Sequence, residues 1–533
     1  SSCSSYDLGT LRRLGVRPLG TMMPDVVGSL KSASWAPDFL RHLAREEVDE
    51  ALQIANKAVD QAKDPSAKAT GYGAVARAQL LSRELLKAVE AAENGVEAAK
   101  KADALTQATA QQVAAKAYLA TFRMSEAAAA ADAAVSVAPG PAQAAALTTH
   151  AQVCLARDKK QEALKVARQA VSLFKESKDQ QGEAAAGEVV VRGCLAAKKG
   201  SEALRAANEV LAIYQGSGSD AECSALLLLA TTKQALGESN EAQDIAQKAV
   251  EIFETKGDRQ MQGITLKQLA DICLAGGHNI DGWQYTREAL ECFREAKHRR
   301  GEASTICQIA AAHVENGVFE EALRIAEEGV AMCRESNDRP QLGATLNVIA
   351  NAHVGQLRFA RSDQQEQQMN WKARLAGKEA LAILQSVGDR VGEANALKSL
   401  ASAFLNYGNA AEARSKAKQA VDIGKEIGSK QIEGENLLLV AQTKIHENKE
   451  EGARLARLSE KLLREAGVAS GARNAGDVHD FIRGYGVAPK EAKKKGPSQP
   501  ADLKTDIVVD MEDAKHRLAY FHGFTARSVR PRS

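Results

Sequence analysis

Eight cysteines, Cys3, Cys154, Cys194, Cys223, Cys273, Cys292, Cys307 and Cys333, are the most reactive side chains here, and no two form a Cys-x-x-Cys pair. Zinc sites gather thiolates and imidazoles at short fixed intervals, which this set lacks, so no metal site is expected. With no Asn-x-Ser/Thr sequon either, the expected compartment is a reducing one. His313 and His353 recur at equivalent places in AAHVENG and NAHVGQL and read as bulky structural positions. The chain lacks G-x(4)-G-K-S/T, G-x-S-x-G and H-E-x-x-H, and its two Gly-Tyr-Gly triplets, at 71–73 and 484–486, lack a third glycine. Neither triplet is a phosphate loop. No catalytic residue and no cofactor are expected, and the chain reads as a non-enzyme.

Binding chemistry is better represented. Only 4% of the residues are aromatic, yet Tyr520, Phe521 and Phe524 cluster near the end of the chain beside Ile507, Val508, Val509 and Leu518. Arg527, Arg530 and Arg532 follow them. Such density suggests a docking segment, seated in the protein's own groove or on a partner, with simple disorder as the third reading.

The 533 residues are 44% hydrophobic, and 70 basic against 68 acidic side chains leave a net charge of +2. The signs alternate and form no basic stripe, so nucleic acid is not an expected partner. Charge runs such as Arg45-Glu46-Glu47 and His298-Arg299-Arg300 are expected to coat outer helix faces and linkers. No stretch approaches the ~18 apolar residues of a membrane span. A chain of this length either divides into domains or grows by repetition.

Repetition is what the residues show. Motifs such as DEALQIANKAV, QEALKVARQAV, SEALRAANEVL and EEALRIAEEGV recur. Their small residues, Ala51, Ala88, Ala127, Ala163, Ala203, Ala242, Gly282, Ala322, Ala373, Ala413 and Gly452, are mostly 36 to 41 residues apart. Upstream of them runs a second signature in which a small residue precedes an aliphatic-small pair, as in Gly263 with Leu269-Ala270, or Gly343 with Ile349-Ala350. Each unit therefore holds two amphipathic helices, A and B, that pack closely through small side chains. Gly276-Gly277, Gly317 and Gly408 mark the turns inside units; Gly257-Asp258, Asn337-Asp338 and Gly388-Asp389 mark the turns between them. No unit buries its apolar face alone, so stacking is obligatory.

Aliphatic-Ala in helix A, a glycine turn, then Glu-Ala and a later small residue in helix B resembles the tetratricopeptide repeat over roughly residues 40 to 466. The spacing near forty resembles the long-repeat subclass of kinesin light chains and Pins/LGN-type adaptors, with the units before residue 160 degenerate. The resemblance implies an all-α fold, a right-handed α-α superhelix whose helices A line a concave groove. It implies that groove positions lie two residues either side of the aliphatic residue of helix A. This register gives Lys267, Asp271, Asn347, Asn351, Lys398 and Ser402 as the partner-binding set, with Cys307 and Leu438 at matching positions. Asparagine amides grip a peptide backbone and lysines select acidic groups.

Four segments are expected: an N-terminal extension over 1–39, read as a targeting remnant or an incomplete record; the array over 40–466; a Gly/Lys/Pro linker over 467–504; and the docking segment over 505–533. The surplus FARSDQQEQQMNW, from Phe359 to Trp371, reads as a surface insertion, with a partner-contacting loop as the alternative. The function expected is a protein-interaction scaffold with protein or peptide partners, in the cytoplasm or cytoskeleton or else a plastid or mitochondrion. The alternative is a structural subunit or assembly factor of a large organellar or cytoskeletal complex.

Overall fold

The computed structural model describes residues 33–486 apart from 141, 218 and 446, and among these residues 23 α-helices follow one another without a strand. They form eleven successive hairpins, from Ala36–Ala44 with Val48–Gln61 to Lys430–Lys444 with Lys449–Glu465, and a last helix Ala469–Gly486. Each small residue that sets the repeat falls on a helix B. Successive helices A approach one another closely and successive helices B far less, so the array curves with the helices A inside. The chain is an all-α solenoid of helical hairpins, the architecture the repeat pattern implies. Among the described residues, no helix is long and apolar enough to cross a membrane.

Helix ends explain the hairpin spacing. Asp64, Asp103, Asp179, Ser219, Asp258, His298, Asp338, Asp389 and Ser429 each stand at the N-cap of a helix A and accept the backbone N–H three residues on. One such cap contributes about 1 kcal/mol. Most helices B lack a side-chain cap and follow a residue in the left-handed region instead: Gly237, Gly277 and Gly317, but Glu46, Arg83 and Phe122 in the first three hairpins. Ala51 with Ala55, Ala163 with Ala167, and Ala322 with Ala326 are essentially inaccessible. These pairs, one turn apart, let helix B lie close against its helix A.

The array also closes on itself. Arg45, at the tip of the first hairpin, pairs with Asp258 at 3.2 Å across 213 residues, and Gln260 donates its side-chain N–H to the Arg45 carbonyl. At the second tip Arg83 pairs with Asp389. A Cβ on the neighbouring Gly388, at φ 83°, would lie 2.8 Å from Leu86 Cγ, so both backbone and contact require glycine there. At the third tip Phe122 is buried in one core with Leu397, Ile423, Ile427 and Ile432. The first three hairpins thus rest on the starts of helices A far along the chain.

Three expectations are corrected. The runs at 45–47 and 298–300 do not both coat outer faces: they meet in this closure, because opposite charges distant in sequence pair there, and His298 is buried. The segment read as linker from 467 holds helix Ala469–Gly486, whose Ala472, Ala475, Val478 and Ile482 share one buried face against the last hairpin. Glycine content hid that periodicity. The Phe359–Trp371 surplus, read as a surface insertion, is exposed at Phe359 and Trp371 and mostly helical: Ser362 caps Asp363–Val387, a helix B of 25 residues against 17 in its neighbours Phe319–Glu335 and Ala410–Glu426. A helix also begins at Ala36, inside the segment read as an N-terminal extension.

Candidate functional site

On the inner face, polar side chains of one helix A reach those of the next in two recurring kinds of rung. In the first, Lys267 Nζ donates to Ser304 Oγ and, at the same register three units on, Lys398 Nζ donates to Glu435 Oε2, both at 2.5 Å. In the second, Gln308 Nε2 donates to Asp271 Oδ1 at 2.9 Å, and Ser399 Oγ lies 2.7 Å from both Asn347 Oδ1 and Asn351 Oδ1. The single Ser399 hydroxyl hydrogen is shared among those amide oxygens and the Asn395 carbonyl, 3.0 Å away. Five of the six expected groove residues are therefore held by inter-unit bonds. The sixth, Ser402, is half-buried and its hydroxyl makes no hydrogen bond among the described residues. Cys307 and Leu438, at the same register as Lys267, are buried. Sequence reasoning missed Ser304, Gln308, Ser399 and Glu435, which complete the rungs; their one-unit spacing from the expected residues was the available signal.

The curved surface shapes the charges. Asp271 reaches solvent, yet protein encloses it on most sides; this desolvation pushes its carboxyl pKa up against the opposing pull of Lys267 and the Gln308 amide. Burial likewise pushes Glu435 up, but the Lys398 ammonium and Gln431 amide outweigh it and leave its pKa lowered. Lys267 is also felt by Glu46 of the first hairpin tip, so the closure and the expected groove share a cation. His313 and His353 are buried, and burial lowers the His353 pKa. Cys154, Cys194, Cys223, Cys273, Cys292, Cys307 and Cys333 are buried free thiols.

The outer surface offers a second feature. Trp371 and Leu375, one turn apart on the long helix B, are 56% and 53% exposed, and Tyr407, at the end of the next helix Arg390–Asn406, is 53% exposed. The Arg374 guanidinium lies 4.4 Å from the Tyr407 ring centroid. Asn370, one residue before Trp371, anchors this helix by donating to the Ala403 carbonyl at 3.1 Å. Tyr520, Phe521 and Phe524 lie outside the described residues.

No family model and no curated protein matches the sequence. Among solved structures, the kinesin light chain TPR-like repeats of Podosopora anserina are 21% identical over 37% of this chain and 99% of theirs, with a TM-score of 0.32. A Rap protein complexed with Competence and Sporulation Factor is 12% identical over 75% of this chain and 99% of its own, at 0.39. A Pyrococcus horikoshii STAND protein with a tetratricopeptide repeat sensor is 14% identical over 73% of this chain and 55% of its own, at 0.37.

Proposed function

We propose that this chain is a non-enzymatic scaffold that holds an extended or helical segment of a partner protein along its concave face. The observation that carries this reading is the polar inner face built by the rungs. There Asn347 and Asn351 direct their amide oxygens to Ser399, and no hydrogen bond among the described residues engages their Nδ2 groups. Those donors, the Ser402 hydroxyl and the solvent-reached Asp271 carboxylate supply what a peptide main chain and its side chains require. Each such bond contributes only about 0.5–1.5 kcal/mol, so affinity is spread along the face. Charges of alternating sign favour a protein segment over a nucleic acid. The reading places the chain in a reducing compartment, cytoplasmic or cytoskeletal, or else in a plastid or mitochondrion.

The test is selection of short peptides from a displayed library on the whole protein. Asn347→Ala with Asn351→Ala should weaken the selected peptide about tenfold, two bonds' worth, with helicity unchanged. Equal affinity for both proteins would overturn the assignment. The exposed Phe359, Trp371, Leu375 and Tyr407 favour a second reading, a subunit or assembly factor held permanently in a large complex. On that reading Trp371→Ser would release the chain from a large particle and leave peptide binding intact.

A further inference from the structure

Helix Ala142–Ala156 carries His150 and Cys154 one turn apart, and the helix that folds back on it, Lys160–Glu176, brings Glu162 opposite them in its first turn. A ring nitrogen of His150, the Cys154 sulfur and a Glu162 carboxylate oxygen lie within 4.8 Å of one another. His150 Nε2 also lies 3.5 Å from Asp132 Oδ1, on the helix B of the preceding hairpin. No other group of three histidine, cysteine or acidic side chains comes together in this way among the described residues.

We propose that His150, Cys154 and Glu162 form a site for a divalent transition metal of the zinc type, with Asp132 as the outer carboxylate that orients His150. The donor set is the argument. One imidazole, one thiolate and one carboxylate match borderline-soft zinc and its spectroscopic stand-in cobalt, and exclude the oxygen-only preference of magnesium and calcium. A carboxylate beside a ligating histidine is the usual second partner in such sites, and Asp132, 3.5 Å from Nε2, fills that place with Nδ1 turned to the ion.

Bonds of about 2.0–2.3 Å place tetrahedral donors about 3.5 Å apart, so the three atoms must close by about an ångström. Glu162 supplies that movement: it is exposed, and the Lys159 ammonium that holds it at 2.8 Å is itself solvent-reached and yields to a doubly charged ion. A recess of about 530 Å³, lined by Asp158, Lys159, Glu162, Ala196, Ala197 and Lys198, opens beside Glu162 and leaves its carboxylate room to turn. Binding expels the thiol proton to leave the thiolate as ligand. Three protein ligands leave the fourth position to water or a partner's side chain.

The place in the fold gives the site a purpose. It joins the two helices of one hairpin and, through Asp132, the hairpin before it. The hairpin before it belongs to the degenerate units, and the core around the site is rich in alanine: Ala127, Ala130, Ala131, Ala144, Ala146 and Ala151 are buried. A metal there ties together what small side chains pack with little area.

The experiment is titration of the full chain with Co²⁺, read by the thiolate-to-cobalt charge-transfer band, followed by displacement with Zn²⁺. The wild-type protein should give the band and Zn²⁺ should bleach it. Cys154→Ser should abolish the band, His150→Ala should weaken binding, and Asp132→Asn should weaken it about tenfold. Because Cys154 is buried and its variant could unfold, the same question is put to the unaltered protein. Zn²⁺ should protect Cys154 from alkylation, with protection located by mass spectrometry. No charge-transfer band in the wild type, a band that persists in folded Cys154→Ser, or unchanged Cys154 alkylation would each overturn the site.

Discussion

Glu46 and His298 are neighbours in the closure, and their protons pull in opposite directions. Burial pushes the Glu46 carboxyl from 4.5 to about 7, with Lys267 and Arg300 opposing and Asp338 assisting. The folded protein therefore holds this proton more tightly than the unfolded chain. That stabilisation is complete below about pH 4.5 and lost as pH rises through about 7. Burial, helped by Arg300, pushes His298 from 6.5 down to about 4, so its contribution is complete above about pH 6.5 and lost as pH falls through about 4. The two mask each other in a wild-type pH profile, and one substitution separates them. Glu46→Gln should melt with the wild type near about pH 4.5 and above it near about pH 8; a Tm difference independent of pH would contradict this account. None of this was legible in the sequence, where the two charge runs look like solvated surface. The same holds for His150, Cys154 and Glu162, whose intervals of four and eight residues gain meaning only once a hairpin turn lies between them.

At the scale of elements the sequence was far more informative, because caps, turns and small-residue pairs are local. Asp258, Asn337-Asp338 and Gly388-Asp389 end one unit and cap the next, and Gly277, Gly317 and Gly408 take the left-handed conformation expected of them. The last helix escaped because glycines dilute its pattern. Its role is to cover the final hairpin, where Ile445 and Leu463 are buried beneath Val478 and Ile482. A chain ending at Gly467 should lose at least about 3 kcal/mol in urea unfolding, from the burial of Val478 and Ile482 alone. An unchanged midpoint would show that the helix Ala469–Gly486 is not a cap. The positions expected in the groove follow a register that the sequence carries, while the rungs between them do not, since a rung needs the distance between adjacent helices A.

At the scale of the whole molecule, the closure follows from small rotations accumulated over many units, so contacts 213 and 306 residues apart leave no local trace. Phe122 is its apolar centre. Phe122→Ala should cost about 3–5 kcal/mol at that contact. It should raise the radius of gyration seen by small-angle scattering with no change in helicity; an unchanged radius would mean that the first three hairpins hold their place without it. On the proposed reading, an inner face curved in this way takes a segment in preference to a folded domain.

The central claim is that a partner segment lies along that face. The direct measurement is photo-crosslinking of the selected peptide to whole protein bearing a photoreactive residue at Asn351 in one sample and at Trp371 in another. The account predicts a crosslink from Asn351 and none from Trp371. Crosslinking from Trp371 alone would place recognition on the outer surface and contradict it.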